Sequence, residues 1–458
     1  MMLFHTWEFV IFFSIVMAVY IALKKTKWWQ LWLLLVSYFF YGWWNPLFLI
    51  LIIYSTFVDY LAGLKLGDSK WKKSWLAFSL VNNLFMLGFF KYAGFFADNL
   101  RTLFVLLHIP LDVPHPNILL PVGISFFTFQ SMSYTIDVYL KQVKIEKNFI
   151  RFAAFVSLFP QLVAGPIERA KALLPQMRHE PLIRKVDVSD GISLFLVGLF
   201  KKAVMADFLS IYAEKIYSDP SIYGSWALLF GTYAFAWQIY FDFSGYTDMA
   251  RGIGRMMGIR LMLNFNNPYT AVDLGDFWRR WHISLSSWFK DYVYIPLGGN
   301  RGIKYRVYWN LILTMVISGF WHGAAWTFII WGGLNALGRV ATMEVEKSWW
   351  YKKIPVLVKQ LLVFHFICLT WVFFRAASVA DALLILKRFF SGTGGDAEIP
   401  VILFSLVGMV WLYQLTFNSK LKPALEYRIV RIGCLVGAML LYLIFSSTAN
   451  KQFIYFQF

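Results

Sequence analysis

The sequence is nearly free of cysteine, with two in 458 residues. Cys368 and Cys434 both lie in apolar stretches, and no Cys-x-x-Cys pair occurs. A disulfide framework or a zinc site needs paired or clustered cysteines, so the sequence supports neither. A free cysteine in an apolar segment is usually a small packing residue. We therefore expect no thiol nucleophile and no metal site.

Charged residues are also scarce. They make up 15% of the chain, whereas soluble domains carry about 25%. Hydrophobic residues make up 59%, and the mean hydropathy is +0.58. Uncharged windows close to the ~20 residues that cross a bilayer recur along the chain. The clearest are Phe9–Leu23, Trp28–Val58, Ser74–Phe90, Val113–Ile136, Ile222–Phe241, Val307–Gly338, Ile399–Ser419 and Ile432–Asn450.

These windows predict an all-α polytopic membrane protein with roughly ten to twelve transmembrane helices. Trp28–Val58 is too long for one crossing, and Asn45-Pro46 is expected to break it because proline disfavours helix at the residue before it. Phe152–Pro166 and His282–Pro296 are too short to span and end in Pro and Gly. They are therefore predicted to be re-entrant or interfacial helices, buried in protein or lining a cavity.

A soluble block, a flexible linker and a clear internal repeat are missing as well. We therefore predict a single integral membrane domain over residues 1–458. Many secondary transporters are built from duplicated halves, so the missing repeat disfavours that class. A non-enzymatic lipid flippase or polysaccharide exporter remains an alternative. The few charges in predicted spans, such as Asp59, Asp137 and Asp242, could mark its pathway, although such residues are more often paired and structural.

Acidic residues are outnumbered by basic ones, 25 to 43, which gives a net charge of +18. The basic residues lie in short connectors such as Lys141–Arg151, Arg169–Lys185 and Arg279–Arg306, whereas Leu107–Asn117 has none. This alternation is the positive-inside pattern, and it predicts cytoplasmic basic connectors and an N-terminus outside. Attraction to anionic membrane lipids accounts for the charge, so no nucleic-acid partner is expected. The first segment has no basic start and no cleavage site, and we expect it to be a retained span.

His322 lies in the middle of the uncharged stretch Val307–Gly338. A titratable residue inside a membrane segment is a candidate functional residue. As one straight helix this stretch would be about 48 Å long, well over the ~30 Å hydrocarbon core. It must tilt strongly or break, and a break near Gly319–Gly323 would place His322 at mid-membrane.

His282 lies in a second tryptophan-rich block, Asp276–Arg301. If this block is one helix, Trp278 and His282 are four residues apart and share a face. Taken alone, the block also fits an interfacial amphipathic helix. The other histidines are His5, His108, His115, His179 and His365, and none lies in a comparable motif.

Two histidines limit the chemistry that the chain can perform. A catalytic zinc site usually has three protein ligands, and no Gly-x-Ser-x-Gly motif is present. The simplest remaining role is a histidine general base that takes a proton from an alcohol as it attacks a thioester. We assign this role to His322. His282, or a bound water, would polarise the carbonyl or orient the substrate.

The chain resembles the membrane-bound O-acyltransferases, and within them the bacterial alginate O-acetylase membrane subunits and their polysaccharide-acetylating relatives. The motifs that carry the resemblance are Phe89–Tyr92, Leu120–Gln130, Tyr134–Tyr139, Phe159–Arg169, Gly198–Lys202, Tyr240–Asp248, Asp276–Arg301, Phe320–Gly323 and Trp371–Ala376. The resemblance implies a helical membrane body around a central tunnel. His322 takes the place of the family's near-invariant histidine, and His282 that of a second polar residue upstream. We expect the small residues Gly319, Gly323 and Ala324 and the large residues Trp321 and Trp326 to line the tunnel.

The resemblance also implies the reaction. An acetyl group would pass from acetyl-coenzyme A, the probable cytoplasmic donor, across the bacterial inner membrane for O-acetylation of an exported polysaccharide such as alginate. The 458 residues contain no serine-hydrolase-like domain, so a separate outward-facing partner of that kind is expected in a polysaccharide acetylation complex. The runner-up is D-alanyl transfer to teichoic acid from a carrier-protein thioester. A purely structural scaffold is a third possibility.

Overall fold

The computed structural model describes residues 2–391 and 398–445, and within them it contains helices and no strand. The predicted all-α class is therefore confirmed. The helices are α1 (Trp7–Leu23), α2 (Trp29–Gly42), α3 (Phe48–Asp68), α4 (Lys72–Leu87), α5 (Ala93–Leu106), α6 (Ile124–Tyr139), α7 (Phe149–Ser157), α8 (Phe159–Leu162), α9 (Ala170–Arg178), α10 (Lys185–Phe200), α11 (Asp207–Ser218), α12 (Ser225–Met256), α13 (Leu274–Arg280), α14 (Ile283–Phe289), α15 (Lys304–His322), α16 (Trp326–Val345), α17 (Trp349–Lys353), α18 (Val356–Arg375), α19 (Val379–Arg388), α20 (Val401–Phe417), α21 (Lys422–Glu426) and α22 (Arg428–Phe445).

Four helical segments of the described chain are long and apolar enough to cross a membrane, namely Phe48–Gly67, Lys72–Leu106, Val356–Arg375 and Arg428–Phe445. Helices α1 and α20 are apolar but shorter, at 17 residues each. The predicted break at Asn45-Pro46 is confirmed, because α2 ends at Gly42 and α3 begins at Phe48. The number of spans stays a prediction, and the window Ile432–Asn450 extends beyond the described residues.

The chain forms two compact units. The first comprises Met1–Ile192 and Ala250–Met262, and the second comprises Ser193–Met249 and Leu263–Phe458. The predicted single domain over residues 1–458 is not tested by this division and stays a prediction.

In the first unit, the segment Phe152–Pro166 contains the end of α7 and the short helix α8. Its residues Phe152 through Pro166 are all buried. Non-helical backbone at membrane depth is tolerated only where protein or water satisfies its polar groups. Here Gly165 N donates to Gln161 O at 2.8 Å, and Phe159 N donates to Ser37 Oγ at 3.1 Å. The burial agrees with the predicted re-entrant character of this segment.

In the second unit, α15 and α16 form a hairpin. Lys304 Nζ at the start of α15 lies 2.8 Å from the Glu344 carboxylate near the end of α16. Tyr308 donates to the same carboxylate at 2.6 Å. The predicted break is confirmed, because α15 ends at His322 and α16 begins at Trp326. His322 therefore occupies the apex of the hairpin.

Two glycines hold the helices of this hairpin together. A Cβ on Gly319 would meet the backbone of Phe328 and Gly332, the latter at 3.2 Å. A Cβ on Gly332 would meet the backbone of Met315 and lie 3.2 Å from Val316 Cα. Because only glycine lets two backbones approach this closely, these positions fix how α15 and α16 pack.

We expected Gly319 and Gly323 to line a tunnel. This expectation is wrong for the face of each glycine from which a side chain would project, because that space is filled. The backbone of Phe328 fills that side of Gly319, and the Phe328 ring fills that side of Gly323. The physical reason is packing, since a small residue in a membrane helix pair more often permits close contact than it opens a passage.

A buried charge cluster lies elsewhere in the second unit, beside the π-helical turn Lys201–Ala206. Lys202 Nζ lies 2.9 Å from the Asp207 carboxylate and 2.7 Å from that of Asp242. All three side chains are less than 7% exposed. Asp242 is therefore a paired structural residue, as most buried carboxylates are.

Candidate active site

His322 is the last residue of α15 and is only 4% exposed. Three aromatic rings surround it edge-on. The ring centroids of Trp321, Trp331 and Phe374 lie 5.0, 5.2 and 5.3 Å from that of the imidazole. The hairpin partner α16 supplies Trp331, and α18 supplies Phe374. The break after His322 thus places an imidazole in an aromatic cage built by three helices.

The cage continues into a cluster of tryptophans. Trp331 stacks on Trp371 with centroids 5.6 Å apart, and Trp371 lies 5.1 Å from Trp281. Trp278 meets Trp331 edge-on at 5.8 Å. Among the described residues, the indole N–H groups of Trp278, Trp331 and Trp371 have no hydrogen-bond acceptor. Buried donors in proteins nearly always have a partner, so these three groups suit a ligand with acceptor oxygens.

His282 does not lie on a continuous helix, and the prediction that it shares a helix face with Trp278 is wrong. Helix α13 ends at Arg280, and α14 begins at Ile283. His282 adopts left-handed backbone angles, with φ 43° and ψ 54°. Left-handed backbone is strained for a residue with a Cβ, so the surrounding structure must hold it.

Asn264 supplies that support and accounts for the break. Its backbone carbonyl accepts from Ile283 N at 2.8 Å. Its side-chain oxygen accepts from Ser284 N at 3.1 Å and from Ser284 Oγ at 2.9 Å. These bonds take the place of the backbone hydrogen bonds that a helix continuing through His282 would form. A local helix pattern cannot reveal them, because Asn264 is 18 residues away from His282 in sequence.

The same network defines the tautomer of His282. Its Nδ1 lies 3.2 Å from Asn264 Oδ1, an atom that already accepts a backbone N–H and must therefore be the amide oxygen. Nδ1 is thus the protonated nitrogen and donates to Asn264. His282 lies outside the spanning helices, and burial lowers its pKa. In the resulting neutral imidazole, Nε2 carries the lone pair.

The structure brings the two predicted site histidines to one aromatic neighbour. The Trp321 ring lies 5.0 Å from the His322 ring and 6.3 Å from the His282 ring. The Phe243 ring also contacts His282 edge-on, with ring centroids 4.6 Å apart. His365, by contrast, is exposed and lies 2.7 Å from Leu361 O through Nδ1.

Asn264, Trp331 and Trp371 are site residues that sequence reasoning missed. Trp371 stands at the start of a motif that carries the family resemblance, so it could have been found from that motif. The signal at Asn264 is weaker, since it consists of three asparagines among the four residues before Pro268. Neither signal shows which side chain the residue contacts.

The sequence profile of the MBOAT, membrane-bound O-acyltransferase family, matches residues 141–373, a range that contains both histidines. A probable alginate O-acetylase of Azotobacter vinelandii is 41% identical over 380 residues, which cover 81% of this chain and 74% of the relative. A peptidoglycan O-acetyltransferase of Helicobacter pylori is 38% identical over 397 residues, covering 78% and 73%. A teichoic acid D-alanyltransferase of Bacillus subtilis is 30% identical over 280 residues, covering 57% and 69%.

Proposed function

Because the chain belongs to the membrane-bound O-acyltransferase family, we propose that it passes an acetyl group from acetyl-coenzyme A in the cytoplasm across the bacterial inner membrane, for O-acetylation of an exported polysaccharide. The observation that carries the proposal is that His322 and His282 both contact the Trp321 ring, among buried aromatic side chains. The acetylating relatives are more similar to the chain than the D-alanylating one, which supports acetyl as the transferred group.

In the proposed reaction, His322 is the general base. Its imidazole takes the proton of an acceptor hydroxyl as the hydroxyl oxygen attacks the thioester carbonyl carbon. The C–S bond breaks, and the imidazolium returns the proton to the leaving thiolate. A thioester is already activated, so no covalent enzyme intermediate is needed. The Nε2 lone pair of His282 would accept a hydrogen bond from substrate or water and orient it.

Asn264 is the positioning residue for His282 in this scheme. Asn264→Ala removes the acceptor of the His282 Nδ1–H and of two Ser284 donors. Because small displacements of reacting groups can cost about 10²-fold in rate, we expect a loss of that order. Acetyl transfer from labelled acetyl-coenzyme A, measured in membranes across a pH series, checks this result.

Two variants serve as controls for Asn264. Asn264→Asp keeps the acceptor oxygen and should recover part of the activity. Ser284→Ala removes one hydroxyl and leaves the contact between His282 and Asn264 in place, so it should stay close to wild type. Full activity and an unchanged pH profile in Asn264→Ala would show that His282 needs no fixed tautomer.

D-Alanyl transfer is the second candidate, and the similarity to a teichoic acid D-alanyltransferase supports it. Purified protein should be offered labelled acetyl-coenzyme A and, separately, a D-alanyl carrier-protein thioester. Transfer from acetyl-coenzyme A alone supports the acetyl proposal, whereas transfer from the carrier protein alone replaces it. Transfer from neither donor, in protein that still exports polymer, would favour a non-enzymatic exporter.

The outward half of the route requires a partner. We propose an outward-facing serine-hydrolase-like protein that takes the acetyl group and delivers it to the polymer within a polysaccharide acetylation complex. The chain's own part ends at the outer face of the membrane. The hairpin α15–α16 would enter from the cytoplasmic side, because its ends lie beside the basic connector Arg279–Arg306 and carry Lys304.

Orientation is tested by labelling single cysteines in intact cells, after Cys368 and Cys434 are replaced. Lys144 and Asp112 are both exposed and lie in a basic and a non-basic connector. An impermeant thiol reagent should label Asp112→Cys and spare Lys144→Cys until the membrane is opened. The reverse pattern would invert the topology and the direction of acyl transfer.

A further inference from the structure

The first unit contains a buried carboxyl that the proposed acyl transfer does not use. Asp59 lies in the membrane-spanning part of α3 and is fully buried. Its carboxylate oxygens each lie 2.9 Å from Asn83 Nδ2, and Oδ1 lies 2.6 Å from Ser79 Oγ. Both of these partners come from α4, the Ser131 hydroxyl of α6 also interacts with the carboxyl, and all three side chains are neutral. Among the described residues Asp59 forms no ion pair, in contrast to Asp242.

An ionised carboxylate in a membrane span with no counter-charge is costly. A proton or a bound cation must therefore neutralise it, or several kilocalories of desolvation remain uncompensated. On α3, α4, α6 and α7, no other titratable or charged side chain that the structure describes contacts the Asp59 carboxyl. These side chains are Tyr54, Tyr60, Lys65, Lys72, Lys73, Tyr134, Asp137, Tyr139 and Arg151.

The hydrogen bonds around Asp59 form a chain that can accommodate a proton. Ser79 Oγ lies 2.6 Å from Asp59 Oδ1 and 3.0 Å from Thr135 Oγ1 on α6. Thr135 in turn bonds the Met132 carbonyl at 3.0 Å. Each hydroxyl has one hydrogen to donate. If Thr135 donates its hydrogen to the Met132 carbonyl, the bond between Ser79 and Thr135 requires Ser79 to donate. Ser79 then has no hydrogen left for Asp59, so the bond between these two residues requires a protonated Asp59 as the donor.

Ionisation of Asp59 would reverse this chain. Ser79 would then donate to the carboxylate, and Thr135 would donate to Ser79. The two arrangements use the same heavy-atom positions and differ by one proton. The chain therefore accommodates both protonation states of Asp59 without a change in its heavy-atom contacts.

Two further buried hydroxyls lie on the same helices. Thr56 stands three residues, about one turn, before Asp59 on α3, and Thr128 stands seven residues, about two turns, before Thr135 on α6. Both are fully buried, and neither hydroxyl has a hydrogen-bond partner among the described residues. Buried hydroxyls of this kind are the groups to which internal water molecules usually bond.

We propose that Asp59 is a proton-binding site inside the membrane, separate from the histidine site. The carboxyl takes up a proton from water on Oδ1 and holds it through the chain of Ser79 and Thr135. Asn83 positions the carboxyl group. Binding or release of this one proton reverses the direction of the hydrogen bonds that join α3, α4 and α6, so the polarity of these bonds responds to proton supply.

Infrared spectroscopy of the purified full chain in lipid nanodiscs at neutral pH tests the proposal. Wild-type protein should show the carbonyl band of a protonated carboxylic acid, and Asp59→Asn should remove it. Asp98→Asn is the matched control, since Asp98 is exposed and pairs with Arg101 and His115. Its spectrum should keep the band. If Asp59→Asn does not fold, Ser79→Ala keeps the carboxyl and should shift the band instead.

Two results would overturn the proposal. One is the absence of an Asp59-dependent protonated carboxyl band in folded protein. The other is a rise in thermal stability with sodium or potassium chloride over choline chloride that Asp59→Asn abolishes, because Asp59 would then hold a metal cation in place of the proton.

Discussion

Replacing His322 with alanine is expected to lower acetyl transfer by about 10²- to 10⁴-fold, the usual contribution of a general base. His322→Gln should lose a similar factor, because glutamine roughly preserves volume and polarity and cannot take up the proton. The imidazole is buried among the rings of Trp321, Trp331 and Phe374, and Trp331 and Phe374 also pack on each other. Both variants should therefore fold and insert. Transfer of labelled acetyl in membranes, normalised to protein level by immunoblot, gives the result.

His365→Ala is the matched control for this experiment. It removes an imidazole of the same size from a spanning helix, but His365 is exposed and lies outside the cage. We expect near-normal transfer. If His322→Ala acetylates the polymer as well as His365→Ala does, His322 is not the base, and a scaffold role for the chain gains support.

Gly332→Leu should destabilise the protein and abolish transfer together. The new side chain would be driven into the backbone of Met315 on the facing helix, which cannot move as a side chain can. Overpacking of a dense core costs about 1–3 kcal/mol, and more where backbone must shift. Thermal unfolding in detergent, monitored beside acetyl transfer, measures both effects.

The neighbouring glycine provides the comparison. A Cβ on Gly333 would meet no atom within 4 Å, so Gly333→Leu adds the same side chain to the same helix at an open position. This variant should unfold close to the wild-type temperature and keep its activity. Equal unfolding temperatures for the two variants would mean that α15 and α16 do not need the close backbone contact.

Local patterns predicted much of this molecule, and non-local contacts explain what they missed. Proline chemistry predicted the break between α2 and α3, and the length of an uncharged stretch predicted the turn after His322. The helix through His282 was predicted from spacing alone, and spacing contains no information about Asn264. Spacing likewise does not show that Gly323 packs against the ring of Phe328, a residue of α16. The periodicity of a sequence indicates which secondary structure a segment can form. Contacts with residues distant in sequence determine which side chains pack together.

The number of residues in α15 determines where His322 lies, because the other end of the helix is anchored. The ion pair of Lys304 with Glu344 fixes one end of α15, and the imidazole stands at the other end, about 27 Å away along the helix axis. One inserted residue in α15 would move the imidazole by about 1.5 Å and rotate it by about 100° away from the cage. Seven inserted residues would restore its direction but shift it by about 10 Å. Under the proposed mechanism, the depth of acyl transfer in the membrane is therefore set by the length of one helix, and it can change only in steps of whole turns.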